Sequence, residues 1–78
     1  MKPKEIGANV RSIRTELGMT TTELGRKVGV SQAQISRLEN GQQGFRSATL
    51  VKIAKALKVP PFRLFMKERE WAKWRRAS

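Results

Sequence analysis

Gln32, Ala33, Ser36 and Arg37 stand one, four and five positions apart, the spacing that lines up one face of an α-helix, and Gln34 falls at the edge of that face. Amide and guanidinium groups in such a row are hydrogen-bonding forks, because a glutamine offers a donor and an acceptor together and an arginine offers five donors. Their chemistry is recognition. The 78-residue chain has no Cys, His, Asp or Tyr, which removes the Ser-His-Asp triad, the thiol nucleophile and the tetrahedral zinc site. Glu16, Glu23 and several serines are present, but none sits in a motif with a base or a ligand set. No enzyme, cofactor or metal is expected. Seventeen Lys and Arg against six acidic residues give a formal net charge of +11. Such a balance points to a polyanionic partner, with nucleic acid ahead of an anionic membrane surface.

The forks need a frame. Ile6, Val10, Ile13 and Leu17 recur at four, three and four, which predicts a helix over 4–17 with a buried stripe, closed by Gly18. Thr20 with Glu23 forms a capping-box pair ahead of Leu24 and Val28, so a second helix spans 21–28 and stops at Gly29. Ser31 with Gln34 repeats the device ahead of Ile35 and Leu38, giving a third helix over 32–39 that ends at Asn40-Gly41. A polar loop follows, and Ser47 is the expected cap of a fourth helix with Leu50, Ile53, Ala54 and Leu57 inside. Pro60-Pro61 then opens a fifth helix built on Leu64, with Phe65 beside it. Two helices separated by three residues cannot lie side by side, so the second and third must cross steeply. Gly25 is small where they approach, and Val30, Ile35 and Leu38 pin the third helix from inside. The expected fold is all-α and compact, with five helices in residues 1–66 and a helical or flexible extension over 67–78. In that extension five basic and two acidic residues surround Trp71 and Trp74.

The segments LGMTTTEL, GVSQAQISRLENG and TLVKIAKALKVPPFRLF resemble, in that order, the lambdoid-repressor and Cro-like helix-turn-helix family, also called the XRE family. The likeness covers residues 6–66. It implies a DNA-binding domain whose third helix enters the major groove. Gln32 would then read an adenine edge and Arg37 a guanine or a phosphate, pairings that suit their donor and acceptor patterns. Ala33 would touch a thymine methyl, and Ser36 could bond to several base edges. Gln34 has two readings, a base contact or the capping partner of Ser31; Arg37 could equally only solvate the surface. Phosphate contacts are expected from Thr20, Thr21 and Thr22 at a helix start, and from Asn40, Gln43 and Arg46 in the following loop. For Asn40 a helix-capping role competes. The family usually has Gln where Thr21 stands and Ala where Gly25 stands, and Thr21 is too short to brace Gln32. Arg14 and Glu39 fall where the family places a structural ion pair between helices one and three.

Proteins of this kind bind inverted repeats of double-stranded DNA as homodimers. The family position of Phe62 is usually polar, so an aromatic there implies an apolar contact with a partner subunit or with the extension. Trp71 and Trp74 share a helical face and admit three readings: a dimer or partner interface, a satellite of the core, or a frayed basic tail. The expected function is a repressor. An antitoxin that covers a toxin protein with its tail and represses its own operon is the alternative, and a restriction-modification controller would look the same. A basic amphipathic tail on a membrane surface is a third class of reading, but no membrane partner is expected. Apolar runs are short and Met-Lys-Pro-Lys has no hydrophobic stretch behind it. A soluble cytoplasmic protein, associated with the nucleoid through DNA, is anticipated.

Overall fold

Local signals set the order of elements in the computed structural model, which describes residues 3–77. Met1, Lys2 and Ser78, the ends of the two segments drawn from the sequence, lie outside the described residues. Helix α1 spans Pro3–Glu16, α2 Thr21–Val28, α3 Gln32–Glu39 and α4 Ser47–Ala56; a 3-10 helix covers Pro61–Phe65, and α5 covers Glu68–Ala77. Among the described residues there is no strand, so the all-α expectation stands. Both capping boxes are formed. The Thr20 hydroxyl accepts from the Glu23 N–H at 3.0 Å while the Glu23 carboxylate accepts from the Thr20 N–H at 3.3 Å. Ser31 Oγ accepts from the Gln34 N–H at 3.1 Å, and Gln34 Oε1 accepts from the Ser31 N–H at 2.9 Å. Each reciprocal pair satisfies two of the donors that a helix start leaves open.

One core joins α1, α2, α3, α4 and the 3-10 turn. Val10, Leu24, Ile35, Ile53 and Leu64 are fully buried, and Leu38 and Leu57 nearly so. Asn9 is also buried and donates from Nδ2 to the Leu64 carbonyl at 2.7 Å, tying α1 to the 3-10 turn. Gly7 makes a closer approach: a Cβ built there would run into the Leu38 carbonyl oxygen, so α1 rests directly on the backbone of α3. The chain leaves α2 through Gly29 at φ 86° and α3 through Gly41 at φ 75°. After α4 the same left-handed position falls to Lys58, at φ 60°.

Three expectations need correction. Leu17 is 49% exposed and does not share the buried stripe of α1. The helix ends at Glu16, the chain turns at Leu17-Gly18, and Met19 packs against the core in its place. Ser47 is not the cap of α4; Arg46 holds that position without a side-chain hydrogen bond, and Ser47 is the first helical residue. The anticipated fifth α-helix is a five-residue 3-10 turn, and the fifth α-helix is the extension itself. Pro60 and Pro61 supply no N–H donors, the bonds Arg63 N–H to Pro60 O and Met66 N–H to Arg63 O are both three-residue closures, and Met66 turns extended.

Candidate nucleic-acid interface

Helix α3 has an inner and an outer side. Ile35 and Leu38 are buried at 0% and 1% exposure, which fixes the rotation of the helix about its axis. Gln32, Ala33 and Arg37 are consequently exposed, and Ser36 and Gln34 are half-buried. Gly25 brings α2 close to the turn before α3, where a Cβ would lie 2.7 Å from the Val30 carbonyl oxygen. The Val30 N–H in turn donates to the Gly25 carbonyl at 2.9 Å. Backbone contacts of this kind leave little play between the two helices.

Arg14 and Glu39 brace α3 from behind. Arg14 Nε donates to Glu39 Oε2 at 2.6 Å and Nη2 to Oε1 at 3.0 Å, a bidentate pair, while Nη1 reaches the Met19 carbonyl at 2.7 Å. The two side chains are 12% and 5% exposed. The Glu39 hydrogen bond and charge push the Arg14 guanidinium above its ordinary value against the opposing effect of burial, so it stays cationic wherever the protein is folded. α1, α3 and the α1–α2 turn are thus locked at one point.

The remaining sequence-derived positions lie at the start of α2, on α3 and in the loop that leads to α4. Thr20 is the cap of α2; Thr21 and Thr22 follow in its first turn, half-buried and exposed respectively. Gln34 has its carbonyl oxygen engaged by the Ser31 N–H and hydroxyl, so only its amide nitrogen is uncommitted. Arg37 Nε donates to Gln43 Oε1 at 3.1 Å, which brings the end of α3 and the following loop together on the surface. Asn40 takes the terminal position of α3, donating its N–H to the Ser36 carbonyl at 3.1 Å, and is exposed. Arg46 is exposed at the start of α4. No group of His, Cys, Asp or Glu able to hold a metal ion occurs among the described residues. Gly7 and Asn9 were not singled out from sequence. A glycine at a helix position four before Arg11 carries no periodic signal of its own, although its place one residue from Ile6 on the inward side could have suggested close packing.

A second cluster lies at the chain's C-terminal end. Trp71 and Trp74 stack with centroids 5.1 Å apart and planes 16° from parallel. Phe62 meets Trp74 edge-on at 5.1 Å and Trp71 at 6.4 Å. Arg63, buried in the 3-10 turn, places its guanidinium 5.0 Å from the centre of the Trp71 ring. The extension therefore folds back onto the 3-10 turn, yet Phe62 and Trp74 each remain 41% exposed. No helix among the described residues is long and apolar enough to cross a membrane.

Comparison with known proteins gives a consistent answer. The helix-turn-helix family model HTH_3 matches residues 10–64. The HTH-type transcriptional repressor RghR of Bacillus subtilis is 43% identical over 58 residues, which are 73% of this chain and 43% of RghR. The chain thus spans less than half the length of that relative. Antitoxin HipB of Escherichia coli is 32% identical over 57 residues, covering 73% of this chain and 65% of HipB. Among solved structures, the restriction-modification controller protein C.AhdI of Aeromonas hydrophila superposes with a TM-score of 0.76 at 26% identity, covering 80% of this chain and 90% of that one.

Proposed function

This chain belongs to the HTH_3 helix-turn-helix family, and from that premise we propose that it is a sequence-specific, double-stranded DNA-binding transcriptional regulator, a repressor acting on an inverted-repeat operator as a homodimer. The observation that carries the reading is the outer side of α3, where Gln32, Ala33 and Arg37 are exposed on a helix whose inner side is fixed by Ile35 and Leu38. Gln32 reads an adenine edge, Ala33 touches a thymine methyl, and Arg37 reads a guanine from the position at which Gln43 steadies it. Ser36 and the amide nitrogen of Gln34 add weaker base contacts. Thr20, Thr21 and Thr22, together with Asn40, Gln43 and Arg46, contact phosphates on either side of the groove. The net charge of +11 supplies the attraction.

Residues 1–66 form the DNA-binding unit in this reading and residues 67–78 the extension. Phe62, Trp71 and Trp74 are the dimer or partner contact, supported by the exposed aromatic surface they leave. The protein is non-enzymatic, needs no cofactor, and works in the cytoplasm on the nucleoid. Similarity to HipB favours one second reading, an antitoxin that also represses its own operon and covers a toxin with the aromatic surface.

Selection of bound sites from a random duplex pool supplies an operator, and chemical-shift mapping with that duplex tests the face. Shifts concentrated at residues 32–37 are expected; shifts confined to another face would overturn the proposal. Gln32→Ala should lower discrimination between operator and random DNA more than it lowers random-DNA affinity. Contact with about 6–10 phosphates per dimer predicts an affinity loss of about 10³–10⁵ between roughly 50 and 200 mM salt. A nearly flat salt response would remove the electrostatic part of the mechanism. Co-purification with the product of an adjacent short reading frame would select the antitoxin reading.

A further inference from the structure

A pocket of about 280 Å³ opens beside α2 and α4, lined by Lys27, Lys52, Lys55 and Ala56. Lys55 and Ala56 stand three and four residues after Lys52, so both neighbour it on one side of α4. Lys27 comes from the last turn of α2, and Lys55 and Ala56 from the last turn of α4. The pocket therefore sits toward the opposite ends of these helices from Thr21 and Ser47. At the α-helical rise the separations are about 9 Å along α2 and about 12 Å along α4.

No carboxylate balances the charge in this pocket. Among the described residues none of the three lysines has an ion pair or a side-chain hydrogen bond. Three arginines differ in this respect: Arg14 pairs with Glu39, Arg37 bonds to Gln43 and Arg63 lies over Trp71. Carbonyls at the ends of α2 and α4 offset part of the repulsion among the three ammonium groups and also oppose an anion, so the pull on a phosphate must come from the lysines themselves. Lysine binds phosphate as a mobile point charge, and three around one pocket match an anion carrying several charges within a few ångströms. Ala56 completes the lining with a single methyl group.

We propose that this pocket binds a small, free oligophosphate, the chemical class of the polyphosphate chain of a nucleotide, at a site separate from the outer side of α3. A phosphate of the DNA backbone has the same chemistry, and the experiment distinguishes the two sources. Isotope-labelled full-length protein is titrated with sodium tripolyphosphate at constant ionic strength and followed by NMR. Saturable shifts centred on residues 27, 52, 55 and 56 are expected. Lys27→Gln, Lys52→Gln and Lys55→Gln together should weaken binding about tenfold or more, whereas Lys4→Gln, Arg11→Gln and Lys67→Gln, an equal loss of exposed charge elsewhere, should change it by no more than about twofold. Equal weakening in the two triple variants would overturn the site in favour of diffuse attraction to a basic protein. Repeating the titration with saturating duplex DNA separates the sources: retained shifts support a free oligophosphate, and displacement by the duplex overturns it. Neither outcome depends on whether Gln32 reads bases.

Discussion

Thr20–Asn40 and Pro61–Ala77 are both pairs of short helical pieces, but they are fastened by different forces. In the first, two reciprocal caps, a glycine pressed against a carbonyl and a bidentate ion pair surround side chains with almost no exposure. Directional bonds and close packing reinforce one another there, and each removes a degree of freedom. In the second, a 3-10 turn and α5 meet through stacked rings and a guanidinium over an indole, with Phe62 and Trp74 each 41% exposed. Ring contacts tolerate sliding in a way that caps do not. The contrast separates a region built to hold side chains at fixed positions from one built to offer a surface.

Substitutions in order of expected effect can break or sharpen that contrast. Glu39→Ala strands the Arg14 guanidinium in a nearly closed site and should lower unfolding free energy by about 3 kcal/mol in urea titration. A wild-type midpoint would show that α3 does not depend on the pair. Gly7→Ala forces α1 off the Leu38 carbonyl, and a loss of about 2 kcal/mol is expected by thermal or urea melting. Phe62→Ala removes the ring that touches both tryptophans and should cost about 1 kcal/mol. Its sharper readout is tryptophan fluorescence and the helicity of α5, which should change while amide protection in α2 and α3 does not. Equal loss of protection in both regions would mean that they unfold as one unit. Lys58→Gly relieves a left-handed lysine after α4; after the added freedom of the unfolded chain is subtracted, a gain of about 0.5 kcal/mol should remain.

The same contrast governs what could be read from the sequence. Capping boxes are local chemistry over four residues, so the bounds of α2 and α3 were legible to the residue, as were the inward positions Ile35, Leu38, Leu50, Ile53 and Leu64. Leu17 misled because periodicity does not register the turn that carries a residue out of its stripe. Ser47 misled because a hydroxyl near a helix start is compatible with either of two adjacent positions. At Pro61, apolar spacing over five residues does not distinguish a 3-10 turn from an α-turn; the missing N–H groups of the two prolines and the extended Met66 decide it. The outer face of α3 was legible as a row of forks. The Arg37–Gln43 bond was not, because its partners lie on different elements and only the course of the loop brings them together.

The engagement of the Gln34 carbonyl oxygen at the Ser31 cap bears on retargeting. On the DNA-reading role proposed for α3, a library meant to retarget this scaffold would randomise Gln32, Ala33 and Arg37, whose side chains lie outside the core. Randomising Gln34 as well would mix two phenotypes in every clone, altered preference and a loosened helix start, and a selection for binding alone could not tell them apart.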